Sequence, residues 1–230
     1  WPRRRAASAA TATGLMSKHM AEGHDFPVFF YGQHYLGSFE PAVGALFCML
    51  FGISSFSIGL GTAFVSFLSL PCVYLLGRLA GGKKAGLAAL LFMIIGPSGG
   101  FNYQGLPRGG YGATLFFTSL LLCMSSWLVE RDISRRTRLW MFFLLGLVAG
   151  LAWWQHQLVA SVLLACAVFL VLAFREKIFF LPAFSGLGGF LAGSSPFWIW
   201  NMFNGWKSFA IFSKHRHGDI LSGLNYFVWD

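Results

Sequence analysis

Charge is what this chain most lacks. Only 11% of its 230 residues are Asp, Glu, Lys or Arg, well below the roughly 25% of an ordinary globular chain. Acids are scarcest: there are eight, set against 17 Lys and Arg. Cysteine is also sparse. Cys48, Cys72, Cys123 and Cys166 all lie inside apolar stretches and none forms a CxxC pair, so we read them as small hydrophobes rather than as disulfide or metal ligands. No phosphate-binding glycine loop, zinc signature or nucleophile elbow occurs. His215-Arg-His217 is too thin a pattern for a metal site, and neither metal nor cofactor is expected. No long internal repeat is present, which argues against an inverted-repeat transporter. Arg3-Arg4-Arg5 runs into Ala, Ser and Thr instead of the apolar stretch of a signal peptide. With Trp1 at one end and Tyr226-Phe-Val-Trp-Asp230 at the other, the chain reads as a segment of a longer protein.

Apolar and aromatic residues are what it has in abundance. Hydrophobic residues make up 56%, including 26 Phe and 9 Trp. A soluble fold of this length has too few charges to cover that surface, whereas lipid solvates it. The net charge of +9 would suggest nucleic acid in a soluble protein. Here the basic residues sit in short loops between apolar runs, so membrane orientation is the better explanation and no nucleic-acid partner is expected.

A crossing helix needs about 20 apolar residues. Six segments approach that length: 55–78, 85–100, 110–129, 139–155, 157–174 and 178–200. The expected fold is therefore all-α, a polytopic transmembrane helix bundle. Three of the connecting loops hold Arg78, Lys83 and Lys84; Arg131, Arg135, Arg136 and Arg138; and Arg175 and Lys177. Those nine basic residues alternate with loops that carry one or none, which predicts that the basic loops face the cytoplasm. Pro41 to Phe51 is too short to cross, and counting it as a crossing would invert every later loop. Residues 41–52 are thus expected as an interfacial helix on the outer side, with Pro41 suited to its first turn. This divides the chain into an outer segment, 1–54, a membrane module of six spans, 55–200, and the start of a further outer loop, 201–230. Gly146-Leu-Val-Ala-Gly150 and Gly189-Phe-Leu-Ala-Gly193 are small-xxx-small patterns that permit close helix packing.

The outer side carries the unusual polar groups. Glu130, Asp132 and Glu176 accompany the basic loops as solvated charges, while Glu22, Asp25 and Glu40 precede or open the interfacial helix. The stretch from Asp25 to Pro41 mixes aromatics, among them Tyr31, with Gln33, His34 and Glu40. Its aromatics suit headgroup anchoring and equally stacking on a sugar or an isoprenoid. Glu40 suits either a helix N-terminus or contact with a ligand. Arg108, beside Gly109 and Gly110 and near Tyr111, is the sole charge between residues 85 and 129. Phosphate is the natural partner of such a guanidinium; the alternative is a snorkelling interfacial Arg. His156, in the turn Trp154-Gln-His-Gln157, either faces water or, if the outer loops converge, reaches the same pocket.

Met16-Ser-Lys-His-Met-Ala-Glu-Gly-His-Asp-Phe-Pro-Val-Phe-Phe-Tyr-Gly-Gln-His-Tyr-Leu-Gly-Ser-Phe-Glu40 resembles the first outer loop of bacterial GT-C-fold glycosyltransferases. These are relatives of the dolichyl-phosphate-mannose protein mannosyltransferases and the lipid A sugar transferases. Pro107-Arg-Gly-Gly-Tyr111 is similar to their second outer loop, and Gly150-Leu-Ala-Trp-Trp154 is also similar. The resemblance implies a GT-C-like module of seven helices, the first lying upstream of Trp1. It implies a polyprenyl-phosphate-linked sugar as donor and a glycan, lipid or protein as acceptor. It further implies transfer with inversion on the outer face of a bacterial inner membrane. In the family an acid usually stands a few residues before the Gly-Leu-Met stretch, here Gly14-Leu15-Met16. This chain has Ser8-Ala-Ala-Thr-Ala-Thr13 there, and Glu40 matches the family's later acidic position. Glu40, or failing it Asp25, is then the expected catalytic carboxylate. Arg108 would hold the donor phosphate, with Tyr31, Gln33, Tyr111 and His156 lining the pocket; the alternative to this enzyme is a non-catalytic membrane transporter or lipid-binding protein.

Overall fold

Residues 2–95, 110–174 and 180–209 are described by a computed structural model, and nearly all of them are helical. The first helix, α1 (Pro2–Ala21), leads into a two-stranded antiparallel hairpin, β1 (Phe29–Phe30) and β2 (Gln33–Gly37). Gly32 takes the second turn position at a φ of 75°, a conformation glycine adopts without steric penalty. Next comes α2 (Phe39–Phe51), the helix expected at the interface. Its thirteen residues span about 20 Å, too little for the hydrocarbon core. It lies between α1 and α3 (Ser55–Phe67). The Ser17 hydroxyl donates to the Pro41 carbonyl at 3.0 Å, and a Cβ on Gly61 would sit 2.8 Å from the Gly44 Cα.

Among the described residues, three stretches are long and apolar enough to cross a membrane: Ser55–Ile95, Tyr111–Glu130 and Arg135–Gln155. The first comprises α3 and α4 (Ser69–Ile95), and α4 leaves helical geometry at Gly81 and Gly82. Its two limbs fold against each other so tightly that a Cβ on Gly77 would lie 2.9 Å from the Ala85 carbonyl oxygen. The basic turn expected between the first two spans is therefore this Gly-Gly reversal. Helices α5 (Tyr111–Glu130) and α6 (Arg135–Gln155) follow, the latter capped by Ser134, whose hydroxyl accepts from the Thr137 N–H at 3.2 Å. A 3-10 turn at Gln157–Val159 starts the shorter α7 (Ala160–Ala173). The last expected span is built from two pieces, α8 (Phe180–Gly193) and α9 (Ser195–Phe203), hinged at Ser194. Phe56, Phe92, Ile95, Phe180 and Phe203 are largely exposed around the bundle. This is an integral membrane helix bundle whose apolar perimeter meets lipid.

The small-xxx-small patterns find each other. A Cβ on Gly146 would overlap the Gly186 carbonyl, and one on Gly150 would overlap that of Phe190. From the other side, Gly189 and Gly193 meet the carbonyls of Phe143 and Leu147. Both sequences advance together, so α6 and α8 run parallel, and α7, packed against α5, carries the chain back from one to the start of the other. Charged residues sort to the two ends. The hairpin, Gly110, Gln155 and His156 share one end. At the opposite end Arg78 shares a cleft with Glu130 and Arg131, and Arg138 reaches Asp132 at 3.9 Å and the Phe174 ring at 5.6 Å. All four cysteines are buried and free.

Candidate functional site

The hairpin is fixed to the end of α6 by backbone and side chain. Leu36 forms a β-bridge with His156, and the Trp154 indole N–H donates to the Val28 carbonyl at 2.9 Å. The Phe39 N–H, at the start of α2, donates to Gln155 Oε1 at 3.2 Å. Gly37 lies so close beneath this turn that a Cβ would come within 2.8 Å of the Trp154 carbonyl oxygen. The segment before α2 and the 155–157 turn therefore converge. The beginning of α5 joins them: Gly110, at a φ of 86°, presses against Gln155 and Leu36.

Glu40 lies at this junction and is only 2% exposed. Its Oε1 accepts from the Thr62 hydroxyl of α3 at 3.2 Å. Its Oε2 has no hydrogen-bond partner, and the same is true of the buried Gln155 Nε2. Burial pushes the Glu40 carboxyl up to about 7; the Thr62 hydroxyl and the Gly110 backbone N–H act in the opposite direction. Two helix N-termini, those of α2 and α5, direct partial positive charge here, which further favours the ionised form. The carboxylate thus bridges helices rather than simply capping its own. It is poised to change protonation near neutral pH, with one oxygen left for a hydroxyl or water.

Asp25 occupies a different setting. It is exposed, and its Oδ2 accepts from the Tyr31 hydroxyl at 2.8 Å, with His19 Nδ1 2.9 Å from the same hydroxyl. Burial first, and then the Asp25 hydrogen bond and charge, raise the Tyr31 hydroxyl above its usual range. Gln33 is half-buried at the start of β2. Tyr111 and His156 come together, their ring centres 6.1 Å apart. His156 is half-buried; its Nδ1 accepts from the Leu158 N–H at 3.1 Å, and desolvation lowers its pKa. Arg108 lies outside the described residues, as do the 101–109 loop around it, Arg175 to Lys177, and His215 and His217.

Thr62 and Gln155 join the site unannounced by any motif. Thr62 sits within α3 among apolar neighbours, and Gln155 is one of two glutamines flanking His156, with nothing in the sequence to set it apart. An aromatic cluster borders the hairpin without any motif to mark it. Phe29 packs edge-on to Trp200 at 4.8 Å and to Phe197 at 5.8 Å, and His34 lies 4.9 Å from Trp200. Trp153, 6.0 Å from Phe197, keeps a buried indole N–H without a partner. The signal available was the Trp198, Trp200 and Phe197 run, which composition alone assigns to lipid. Among the described residues no group of three His, Cys, Asp or Glu side chains is placed to hold a metal. No family model, curated protein or solved structure matches this chain.

Proposed function

We propose that the chain is the membrane module of a glycosyltransferase that takes a sugar from a polyprenyl-phosphate carrier and passes it to an acceptor hydroxyl at the Glu40 end of the bundle. The observation that carries this reading is Glu40 itself. It is a buried carboxyl with a pKa near 7 and one unpartnered oxygen, set where three outer segments meet. A general base works best with a pKa near the operating pH. In the transfer, Glu40 takes the acceptor proton as the acceptor oxygen bonds to the anomeric carbon from the face opposite the phosphate. The carbon–oxygen bond to phosphate breaks, and the prenyl phosphate departs with its electron pair. Arg108, two residues before Gly110, receives that charge; Tyr31, Gln33, Tyr111 and His156 border the pocket. The resemblance in residues 16–40 and 107–111 supports the donor class. The basic loops support a cytoplasmic position for the opposite end, so the site faces outward from a bacterial inner membrane.

The test is sugar transfer from a prenyl-phosphate sugar by the intact protein and its variants. Glu40→Gln is expected to lower kcat by roughly a hundred- to ten-thousand-fold, the range of a positioned base. Arg108→Lys is expected to raise donor KM although charge is kept, because the fork that grips phosphate is lost. Full activity in Glu40→Gln removes Glu40 from the mechanism and moves the assignment to Asp25.

A further inference from the structure

Far from the Glu40 end, a cleft of about 530 Å³ opens between the first limb of α4 and helices α5 and α6. Its lining follows helical spacing. Cys72, Leu75 and Leu79 form one wall, and Leu120, Cys123, Met124, Trp127 and Arg131 form a stripe along α5. Arg131 stands just past the end of α5. From Leu120 to Glu130, the last residue of α5, this lining covers about 15 Å of helix. This matches the depth of one leaflet, half of the roughly 30 Å hydrocarbon core. The walls are apolar for most of that depth. At the mouth the chemistry changes abruptly to Arg78, Arg131 and Glu130, all exposed. Neither arginine has a carboxylate within ion-pair distance among the described residues, Glu130 included. Lys83 and Lys84 stand in the same reversal as Arg78 and are also exposed. A cleft one leaflet deep, apolar below and cationic at the rim, has the shape and charge of a single lipid.

We propose that this cleft holds one anionic phospholipid of the surrounding bilayer. One acyl chain lies along the α5 stripe between Leu75 and Trp127, and the phosphate is gripped by Arg78 and Arg131. Basic pockets between membrane helices select anionic headgroups on these grounds. A free phosphate would gain the arginines but not the stripe, and a zwitterionic lipid would gain the stripe without net attraction at the rim. Glu130 repels the phosphate and sets a ceiling on affinity. The lipid lies between the first limb of α4 and α5, above the point where the Cys123 thiol donates to the Cys72 carbonyl at 3.3 Å.

The test uses the intact chain in nanodiscs of phosphatidylcholine doped with a lipid carrying brominated acyl chains, which quench nearby tryptophan. Trp127 emission is isolated as the difference between the chain and its Trp127→Phe variant. Brominated phosphatidylglycerol is expected to quench this component at far lower mole fraction than brominated phosphatidylcholine. Each arginine near an anionic surface contributes about fivefold, so Arg78→Gln with Arg131→Gln is expected to reduce that selectivity by about thirty-fold. Glu130→Gln is expected to change it in the opposite direction, which guards against misreading a poorly folded double variant. Equal quenching by the two lipids overturns the proposal. So does selectivity that neither set of substitutions moves, or displacement of phosphatidylglycerol by inorganic phosphate alone.

Discussion

Between α6 and α8 the backbones meet with nothing larger than a hydrogen atom at Gly146, Gly150, Gly189 and Gly193. Around Glu40 the chain is packed as closely, yet it buries a carboxyl oxygen and an amide nitrogen that nothing satisfies. The first region lowers free energy through van der Waals contact alone, in a solvent that offers helices no hydrophobic drive to associate. The second raises it, because an unmade hydrogen bond in a dry site costs about 1–3 kcal/mol. Stability and reactivity are thus held in different places, and the glycine contact lies in the same helix that ends at Gln155. One region keeps α6 in position so that the other can keep its unsatisfied atoms there.

That contrast is open to attack from both sides, and the glycine side should yield most. Gly150→Val drives its side chain into the Phe190 and Ser194 backbone; overpacking costs about 1–3 kcal/mol, and a clash with backbone belongs at the upper end. Thermal unfolding in detergent is expected to show a large drop. Gly188→Ala, one residue from the contact line and with nothing near its Cβ position, is expected to stabilise by up to about 1 kcal/mol through helix propensity. A similar response at both positions would dissolve the distinction.

Glu40 should give the next largest effect, with opposite sign. Its folded-state pKa is raised from 4.5 to about 7, so the folded chain binds the proton more tightly than the unfolded one. The associated stability is complete below pH 4.5 and is lost as pH rises through 7. The full span amounts to about 3 kcal/mol. Glu40→Gln removes the titration, and its stability relative to the parent is expected to grow between pH 4.5 and 7.5. A denaturation series across that range, giving parallel curves for the two proteins, would contradict the assignment. If the proposed chemistry is right, the more stable variant is also the inactive one.

Gln155→Leu probes the seam. The change eliminates the orphan Nε2 but strands the Phe39 N–H, so the net loss is expected near 1 kcal/mol. Hydrogen exchange should report it locally, as faster exchange at Phe39 and the first turn of α2. The smallest effect belongs to Tyr31→Phe. Its hydroxyl bonds to exposed Asp25, and surface changes of this sort stay within about 0.5 kcal/mol.

The helical bundle was legible because its signals are long. Runs of apolar residues, basic loops and paired glycines each repeat over many positions, and the glycine patterns even marked the surfaces that join. The short helix α2 was legible as a helix too short to cross, from its length and from Pro41 in its first turn. The starting helix α1 was not: its low hydrophobicity and its Ala, Ser and Thr content gave no periodic stripe. The hairpin was hidden by its brevity, two residues in β1. At the site, Glu40 stood out because acids are so few, and His156 because it sits in a turn. Thr62 did not, since a threonine within a span ordinarily satisfies itself on its own helix backbone. Here its hydroxyl reaches a carboxylate 22 residues back in sequence, a relation that only folding reveals.

The parallel contact of α6 and α8 also sets a timetable. Gly146 meets Gly186, roughly 40 residues later in the chain, and a ribosome working at about 5–20 residues per second needs roughly 2–8 seconds to supply them. During that interval α6 sits in the membrane with a bare backbone furrow along one side. The neighbours at hand are α5, the hairpin at its Gln155 end and the incoming α7. The furrow closes when α8 inserts, so the end of α6 that carries Gln155 is braced late in synthesis, after α1, the hairpin and α2 have already been made.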